Sequence, residues 1–204
     1  YFGNEVGDRY GNNRKKFQND LYNGVLRVLK DSKTQHISNT LNFLAKSGFT
    51  MDDNGFNTYF GNEVGDRYGN NRKKFQNDLY NGVLRVLKDS ETQHISNTLN
   101  FLAKSGFTMD GNRFMDYFGN MNKTEFQNNL FRGISEVLKN KNSNAQHISN
   151  TLNFLAKSGF TMCSNGFIDY FGNIDKTEFQ DNLFRGISRV LEHGNAQDIS
   201  NTIE

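Results

Sequence analysis

The sequence predicts an all-α protein, an α-solenoid of tandem helical repeats 53–58 residues long. The tetrapeptide YFGN begins at four positions, spaced by 58, 58 and 53 residues: Tyr1, Tyr59, Tyr117 and Tyr170. The run HISNTLNFLAKSGF occurs three times with apolar residues at helical spacing, and proline is absent from all 204 residues. A period of this length is typical of supersecondary units that stack because none can bury its own apolar face.

The returns of YFGN divide the chain into four units, numbered one to four in chain order: 1–58, 59–116, 117–169 and 170–204. Units one and two are nearly identical, with Lys33 corresponding to Glu91. Unit three is shorter because residues are missing between Phe118 and Phe126, and such deletions occur in loops. We expect a single array over residues 1–204 that has partial units at both ends and belongs to a longer protein.

Each unit contains a first long helix, predicted from FQNDLYNGVLRVLKD in unit one. Its apolar residues share one face: Phe17, Leu21, Val25 and Val28. Gly24 lies on the same face and has a glycine counterpart in every unit: Gly82, Gly133 and Gly186. A glycine inside a helix costs about 1 kcal/mol relative to alanine, so its return indicates close approach of a neighbouring helix. Leu26 points elsewhere and is replaced by serine in units three and four, so we expect that position to be exposed.

A second long helix is predicted from the HISNTL run. Its apolar stripe has the spacing i, i+4, i+7 and i+8: Ile37, Leu41, Leu44 and Ala45. Ser32 and Gln35 have the spacing of a capping box, which recurs in units two and three. Gly48, followed by Phe49, is typical of a left-handed helix stop with an apolar contact.

A third and shorter helix is predicted from NGFNTYFGN. Phe56, Tyr59 and Phe60 have the spacing i, i+3 and i+4, which places them on one face. Each complete unit is therefore predicted to contain two long helices and one short helix.

The run QHISNTL at residues 35–41, continuing to Leu44, Ala45, Lys46 and Gly48, resembles the second helix of octotricopeptide-type repeats. The segment AQDISNTI at residues 196–203 is similar to the same pattern. The resemblance covers about fourteen residues per unit and, more loosely, the helix before them. It implies an α-solenoid that binds RNA, as members of that family generally do. The units here are longer than the family's repeat, and the surplus would be the added short helix.

Composition and charge argue against several classes of protein. A net charge of +2 is too low for the strong basic field of many nucleic-acid binders. The single cysteine, Cys163, excludes an intrachain disulfide framework, so we expect an intracellular setting, in an organelle or a bacterial cytoplasm. No apolar run approaches the ~20 residues of a membrane span. Nucleophile motifs, phosphate-binding glycine fingerprints and metal quartets are absent, so we expect no enzyme activity, cofactor or small-molecule substrate.

The strongest candidate surface lies opposite the apolar stripe of the second long helix. Asparagines and a lysine recur there at i, i+3 and i+7: Asn39, Asn42 and Lys46; Asn97, Asn100 and Lys104; Asn150, Asn153 and Lys157. We name these residues the polar rows. Amides can pair with base edges or sugar hydroxyls, and lysines can neutralise phosphates. A solvated helix face, or asparagines that bridge adjacent units, would explain the same pattern.

The segment GNNRKK supplies a second candidate surface in units one and two. Each of its two copies has three cations, which are predicted to lie in a loop before a helix N-terminus: Arg14, Lys15 and Lys16 in unit one, and Arg72, Lys73 and Lys74 in unit two. Free N–H groups at a helix start favour a phosphate contact, although a solvated charge run is the simpler explanation.

Phenylalanine follows the second asparagine of each polar row, as Phe43, Phe101 and Phe154. These rings could stack on bases, but packing against the adjoining unit is the interpretation that we favour.

Together with the family resemblance, the polar rows lead us to expect a binding module for single-stranded RNA. A protein–protein scaffold that holds a peptide or helix along its concave surface is the alternative.

Overall fold

A computed structural model describes residues 11–62, 64 and 69–203 of the chain. This part is all-helical, which confirms the predicted fold class at that level. Its eleven helices are α1 (Gly11–Asp31), α2 (Thr34–Lys46), α3 (Asp53–Phe60), α4 (Asn70–Asp89), α5 (Thr92–Lys104), α6 (Gly111–Phe118), α7 (Lys123–Lys139), α8 (Ala145–Lys157), α9 (Ser164–Phe171), α10 (Lys176–His193) and α11 (Ala196–Ile203).

Corresponding helices of adjacent units contact each other. The first long helices contact in the order α1, α4, α7 and α10, and the second long helices contact in the order α2, α5, α8 and α11. The short helices α3, α6 and α9 pack against α1, α4 and α7. Each unit therefore meets the next through the same pair of long helices, and we call this contact a junction.

Phenylalanine rings fill each junction. Phe49 of unit one lies 5.6 Å from Phe75 of unit two between ring centroids, and Phe107 lies 5.4 Å from Phe126 one unit later. Phe101 stacks on Phe49 at 6.1 Å and is fully buried. Aromatic pairs at such distances contribute beyond the area they bury.

The packing interpretation of the phenylalanines in the second long helices is confirmed where a preceding unit is present. Phe154 stacks on Phe107 at 6.1 Å and is fully buried, just as Phe101 is on Phe49. Phe43, in unit one, is 52% exposed.

Three of the four glycines inside the first long helices, Gly82, Gly133 and Gly186, lie where a neighbouring helix approaches closely, whereas a Cβ on Gly24 would meet no atom within 4 Å. A Cβ on Gly82 would lie 3.3 Å from Leu29 Cδ2, and one on Gly186 would lie 2.8 Å from Leu138 Cδ2. Alanine would therefore crowd the leucine of the preceding unit.

The prediction that Leu26 is exposed was wrong. Leu26 and Leu84 are 6% and 5% exposed, and Ser135 is also buried. Ser188, the counterpart in unit four, is exposed. The position is buried in every unit that another unit follows, so a neighbour outside the helix determines its environment.

The helix stop that the sequence predicts is present in the structure, whereas the predicted capping box is not. Gly48 has φ 79°, and the amide of Phe49 donates to the carbonyl of Leu44 at 3.0 Å, as a Schellman stop requires. The helix α2 begins one residue later than a capping box needs, and its N-cap is Lys33, without a side-chain cap. Units two and three likewise start one residue later, and the hydroxyls of Ser90 and Ser143 have no hydrogen-bond partner in the described part.

Candidate nucleic-acid interface

The polar rows lie on the outer face of the second long helices. In α5 the apolar stripe is buried, with Ile95 and Leu99 at most 1% exposed. On the other side of this helix Asn97 and Asn100 are half-buried and Lys104 is exposed. In α2 Asn39 and Lys46 are exposed and Asn42 is half-buried, and in α8 Lys157 is exposed while Asn150 and Asn153 are half-buried. None of the nine predicted residues is therefore fully buried.

Contacts between α2, α5 and α8 bring the polar rows side by side. Helices in contact lie about 8–10 Å apart, so equivalent residues of adjacent units follow one another across the surface. Ser38 Oγ donates to the carbonyl of His94 at 3.1 Å and joins α2 to α5 directly. The side chain of Asn201, which would begin a fourth row, lies outside the described residues.

The amides of the polar rows are not used to hold the fold. Within the residues described here, none of the six asparagine side chains has a hydrogen-bond partner, and none of the three lysines has an ion-pair partner. The interpretation that these asparagines bridge adjacent units finds no support in their geometry. The surface therefore offers uncommitted amide donors and acceptors beside ammonium groups.

Sequence reasoning missed a further member of this surface. Gln35, Gln93 and Gln146 are exposed and precede the first asparagine of each unit by four residues. The i−4 spacing could have placed them on the same stripe, but the capping-box pattern assigned them to the helix start. They extend the polar rows by one amide per unit.

The lysines of the polar rows occupy the last helical turn. Lys46, Lys104 and Lys157 end α2, α5 and α8, where the helix dipole is negative. All three lysines are exposed, so their ammonium groups are able to contact an anion.

The cations of GNNRKK are helical and do not form the predicted loop. α1 begins at Gly11 and α4 at Asn70, so the three cations of each segment lie in the first turns. Arg14, Lys15 and Lys16 are exposed on α1, and Lys73 is exposed on α4. Lys74 pairs with Asp78 in its own helix at 3.0 Å between Nζ and Oδ2.

Arg72 has a structural contact. Its Nη2 donates to the carbonyl of Met51 at 2.7 Å, and its guanidinium lies 5.9 Å from the ring centroid of Phe56. Burial lowers its pKa, although Asp116 and Asp52 act in the opposite direction. Lys176 makes the corresponding contact in unit four, donating to the carbonyl of Met162 at 2.6 Å. At these two places the residue ties the segment before a short helix to the next long helix, so we leave Arg72 out of the binding surface.

The two predicted surfaces lie on different sets of long helices. The polar rows lie on α2, α5 and α8, whereas the GNNRKK cations lie on α1 and α4, which belong to the other set of long helices.

Chemistry of other kinds is not indicated in the described part of the chain. It contains no cluster of three or more His, Cys, Asp or Glu side chains that could hold a metal ion. His147 is half-buried, and desolvation lowers the pKa of its imidazole, which favours the neutral ring. None of the helices over these residues has the length and apolar character needed to cross a bilayer.

The sequence matches no family model, and neither the curated proteins nor the solved structures include a significant match.

Proposed function

We propose that the chain is an α-solenoid of the octotricopeptide type that binds single-stranded RNA along the polar rows. The observation that carries this proposal is the repeated set of amides and lysines with no partner inside the described part of the fold. A helical-repeat array suits a linear ligand because each unit presents the same groups at a regular interval.

The chemistry of the polar rows fits unpaired nucleotides. Asparagine and glutamine amides both donate and accept, so they can bind base edges and the ribose 2′-hydroxyl. Lys46, Lys104 and Lys157 provide one phosphate contact per unit. The exposed cations Arg14, Lys15, Lys16 and Lys73 add long-range attraction from α1 and α4.

Fluorescence anisotropy with labelled single-stranded RNA over a salt series tests the proposal. We expect a log–log salt dependence with a slope of about −0.7 for each phosphate neutralised. Replacing Lys46, Lys104 and Lys157 together by alanine should make the slope shallower by about 2.

A matched control removes three exposed lysines outside the polar rows: Lys30, Lys139 and Lys141. This control should lower affinity less than the row variant, because it removes the same charge without removing row contacts. Equal effects of the two triple variants, or no binding at low salt, would contradict the proposal.

The alternative function is a protein scaffold of the same shape, and the net charge of +2 favours it. A scaffold would bind a peptide or helix with weak dependence on salt. Salt-insensitive binding to a peptide, together with no affinity for RNA, would support the scaffold instead.

A further inference from the structure

The junction between units one and two contains a cavity of about 350 Å³, between α1 and the start of α4. Tyr22 and Leu26, both buried, form its apolar wall, and the hydroxyl of Tyr22 donates to the carbonyl of Asn71 at 2.8 Å. Two lysines from different helices line the cavity, Lys30 of α1 and Lys74 of α4. None of the described residues that line it is acidic. The cavity therefore combines an apolar wall with two positive charges.

The next junction holds an ion pair at the same two positions. Lys88 of α4 corresponds to Lys30, and Glu125 of α7 corresponds to Lys74. The Nζ of Lys88 lies 3.0 Å from Oε1 of Glu125. Between units one and two, a second ammonium group thus replaces the carboxylate of that pair.

Carboxylates of the fold neutralise only one of the two cavity lysines. Lys74 Nζ lies 3.0 Å from Oδ2 of Asp78, a buried residue of the same helix. Lys30 is exposed and has no ion-pair partner among the residues that the structure describes. One positive charge is therefore left uncompensated beside the cavity, and both ammonium groups keep N–H donors for a ligand.

The start of α4 also lacks the acceptor groups that begin the later first long helices. Asn122 caps α7 and Asp175 caps α10 through their side chains, and each of these helices has a glutamate in its first turn. The N-cap of α4 is Gly69, which has no side chain, and the first turn of α4 contains no acidic residue. The positive end of the α4 dipole therefore adds to the field of the two lysines.

A third cation, Arg27, lines the same cavity from α1. Its counterpart Arg85 donates instead to carbonyls of the preceding unit, those of Leu29 and Ser32. We therefore assign the site to the two lysines, whose counterparts meet each other across the next junction.

We propose that this cavity binds a phosphate group. The ammonium groups of Lys30 and Lys74 donate to its oxygens, and the side-chain amide of Asn71 supplies a further N–H donor. The phosphate takes the place that the carboxylate of Glu125 has beside Lys88. A phosphate suits this place better than chloride does, because its several oxygens contact both ammonium groups at once.

The site is separate from the polar rows and does not depend on RNA binding. It lies between the first long helices, whereas the polar rows lie on α2, α5 and α8. An RNA strand that follows the polar rows runs along the other set of long helices, so we assign the cavity to free phosphate or a small phosphorylated molecule. Because this ligand bridges α1 and α4, it stabilises the folded chain once its concentration exceeds the dissociation constant.

Phosphorus NMR titration of the 204-residue chain with inorganic phosphate, and separately with pyrophosphate, tests the proposal at constant ionic strength in chloride. We expect saturable binding of a single phosphate ligand per chain. Lys30→Gln and Lys74→Gln should each lower the affinity by roughly tenfold, because each variant removes charge-assisted hydrogen bonds to the ligand. Lys141→Gln is the matched control: it removes the same charge from an exposed position outside the cavity and should leave the affinity unchanged.

A second variant transplants the later junction into the earlier one. Lys74→Glu combined with Asp78→Asn introduces the side chains that unit three carries at these positions, Glu125 and Asn129. The new carboxylate should pair with Lys30 and abolish phosphate binding, and helical circular dichroism checks that the variant is folded. Exchange of chloride for phosphate should stabilise the wild type against urea more than it stabilises the transplant, which reports the general effect of phosphate on protein stability.

Absence of saturable binding with both phosphate and pyrophosphate would overturn the proposal. So would lysine variants that lower the affinity no more than Lys141→Gln does, or a folded transplant that still binds phosphate. Single-stranded RNA distinguishes the source of the phosphate group. If Lys74→Gln lowers the affinity for RNA more than Lys141→Gln does, the cavity belongs to the path of the RNA backbone and its assignment to a free ligand is wrong.

Discussion

The glycine inside each first long helix has two environments within one chain. At Gly133 an added methyl group would lie 2.9 Å from Leu87 Cδ2 and 3.5 Å from the carbonyl oxygen of Leu87. At Gly24 the same methyl group would meet no atom within 4 Å. The local sequence is similar at both positions, so the difference comes only from the unit that precedes Gly133.

This difference predicts opposite effects of the same substitution. Gly24→Ala should stabilise the monomer by up to about 1 kcal/mol, because alanine favours helix and nothing crowds it. Gly133→Ala should gain the same propensity but lose about 1–3 kcal/mol to overpacking. Urea unfolding of both variants at low protein concentration measures the difference, and equal stabilities would show that close approach does not explain the glycines.

Residue spacing alone predicted which side chains of α2 are buried, as with Leu41 and Leu44. It could not predict the burial of Leu26, because the side chain is covered by a unit whose position depends on tertiary packing. Arg72 was misassigned for a related reason. A cation beside a polar loop has no local signal to show that the carbonyl of Met51, 21 residues away, is its partner.

At the scale of the helix, an end formed by adjacent residues was predictable from the sequence, whereas an end completed by another unit was not. The stop after α2 depends on Gly48 and Phe49, which are adjacent in sequence, and it was predicted correctly. The C-terminal carbonyls of α1 instead accept from Arg85, which belongs to the next unit. A cap that is supplied from another unit cannot be recognised in the sequence around the helix end.

Loss of this external cap should destabilise the junction measurably. Arg85→Ala removes hydrogen bonds from a charged donor to two helix-end carbonyls, which we expect to cost about 1.5–3 kcal/mol. Arg27→Ala is the matched control: it removes the same side chain from an exposed position and should have little effect on the free energy of unfolding. Equal effects in chemical denaturation would contradict the role of Arg85.

At the scale of the whole molecule, stability depends on how many neighbours a unit has. Units two and three each meet a neighbour on both sides, whereas units one and four meet one each. In a repeat array the stability of a unit is approximately its own contribution plus that of its contacts with adjacent units.

The protection of backbone amides from native-state hydrogen exchange should therefore differ along the chain. We expect the backbone amides of α4, α5 and α7 to be the most protected, and those of α1 and α11 to exchange first by local opening. Mass spectrometry of the exchanged peptides measures this protection. Uniform protection of all helices would indicate that the array opens only as one cooperative body.

The polar rows were predictable at this scale because a repeated surface residue leaves a repeated signal in the sequence. Their relation to the cations of α1 and α4 was not predictable, since it depends on which set of long helices each segment joins.

The recurrence of one junction throughout the chain has a genetic consequence. A duplicated or deleted unit meets neighbours that already carry the matching glycine, leucine and phenylalanine side chains. Unequal recombination within the gene can therefore lengthen or shorten the protein in a single event, without a period in which an ill-fitting contact must be repaired.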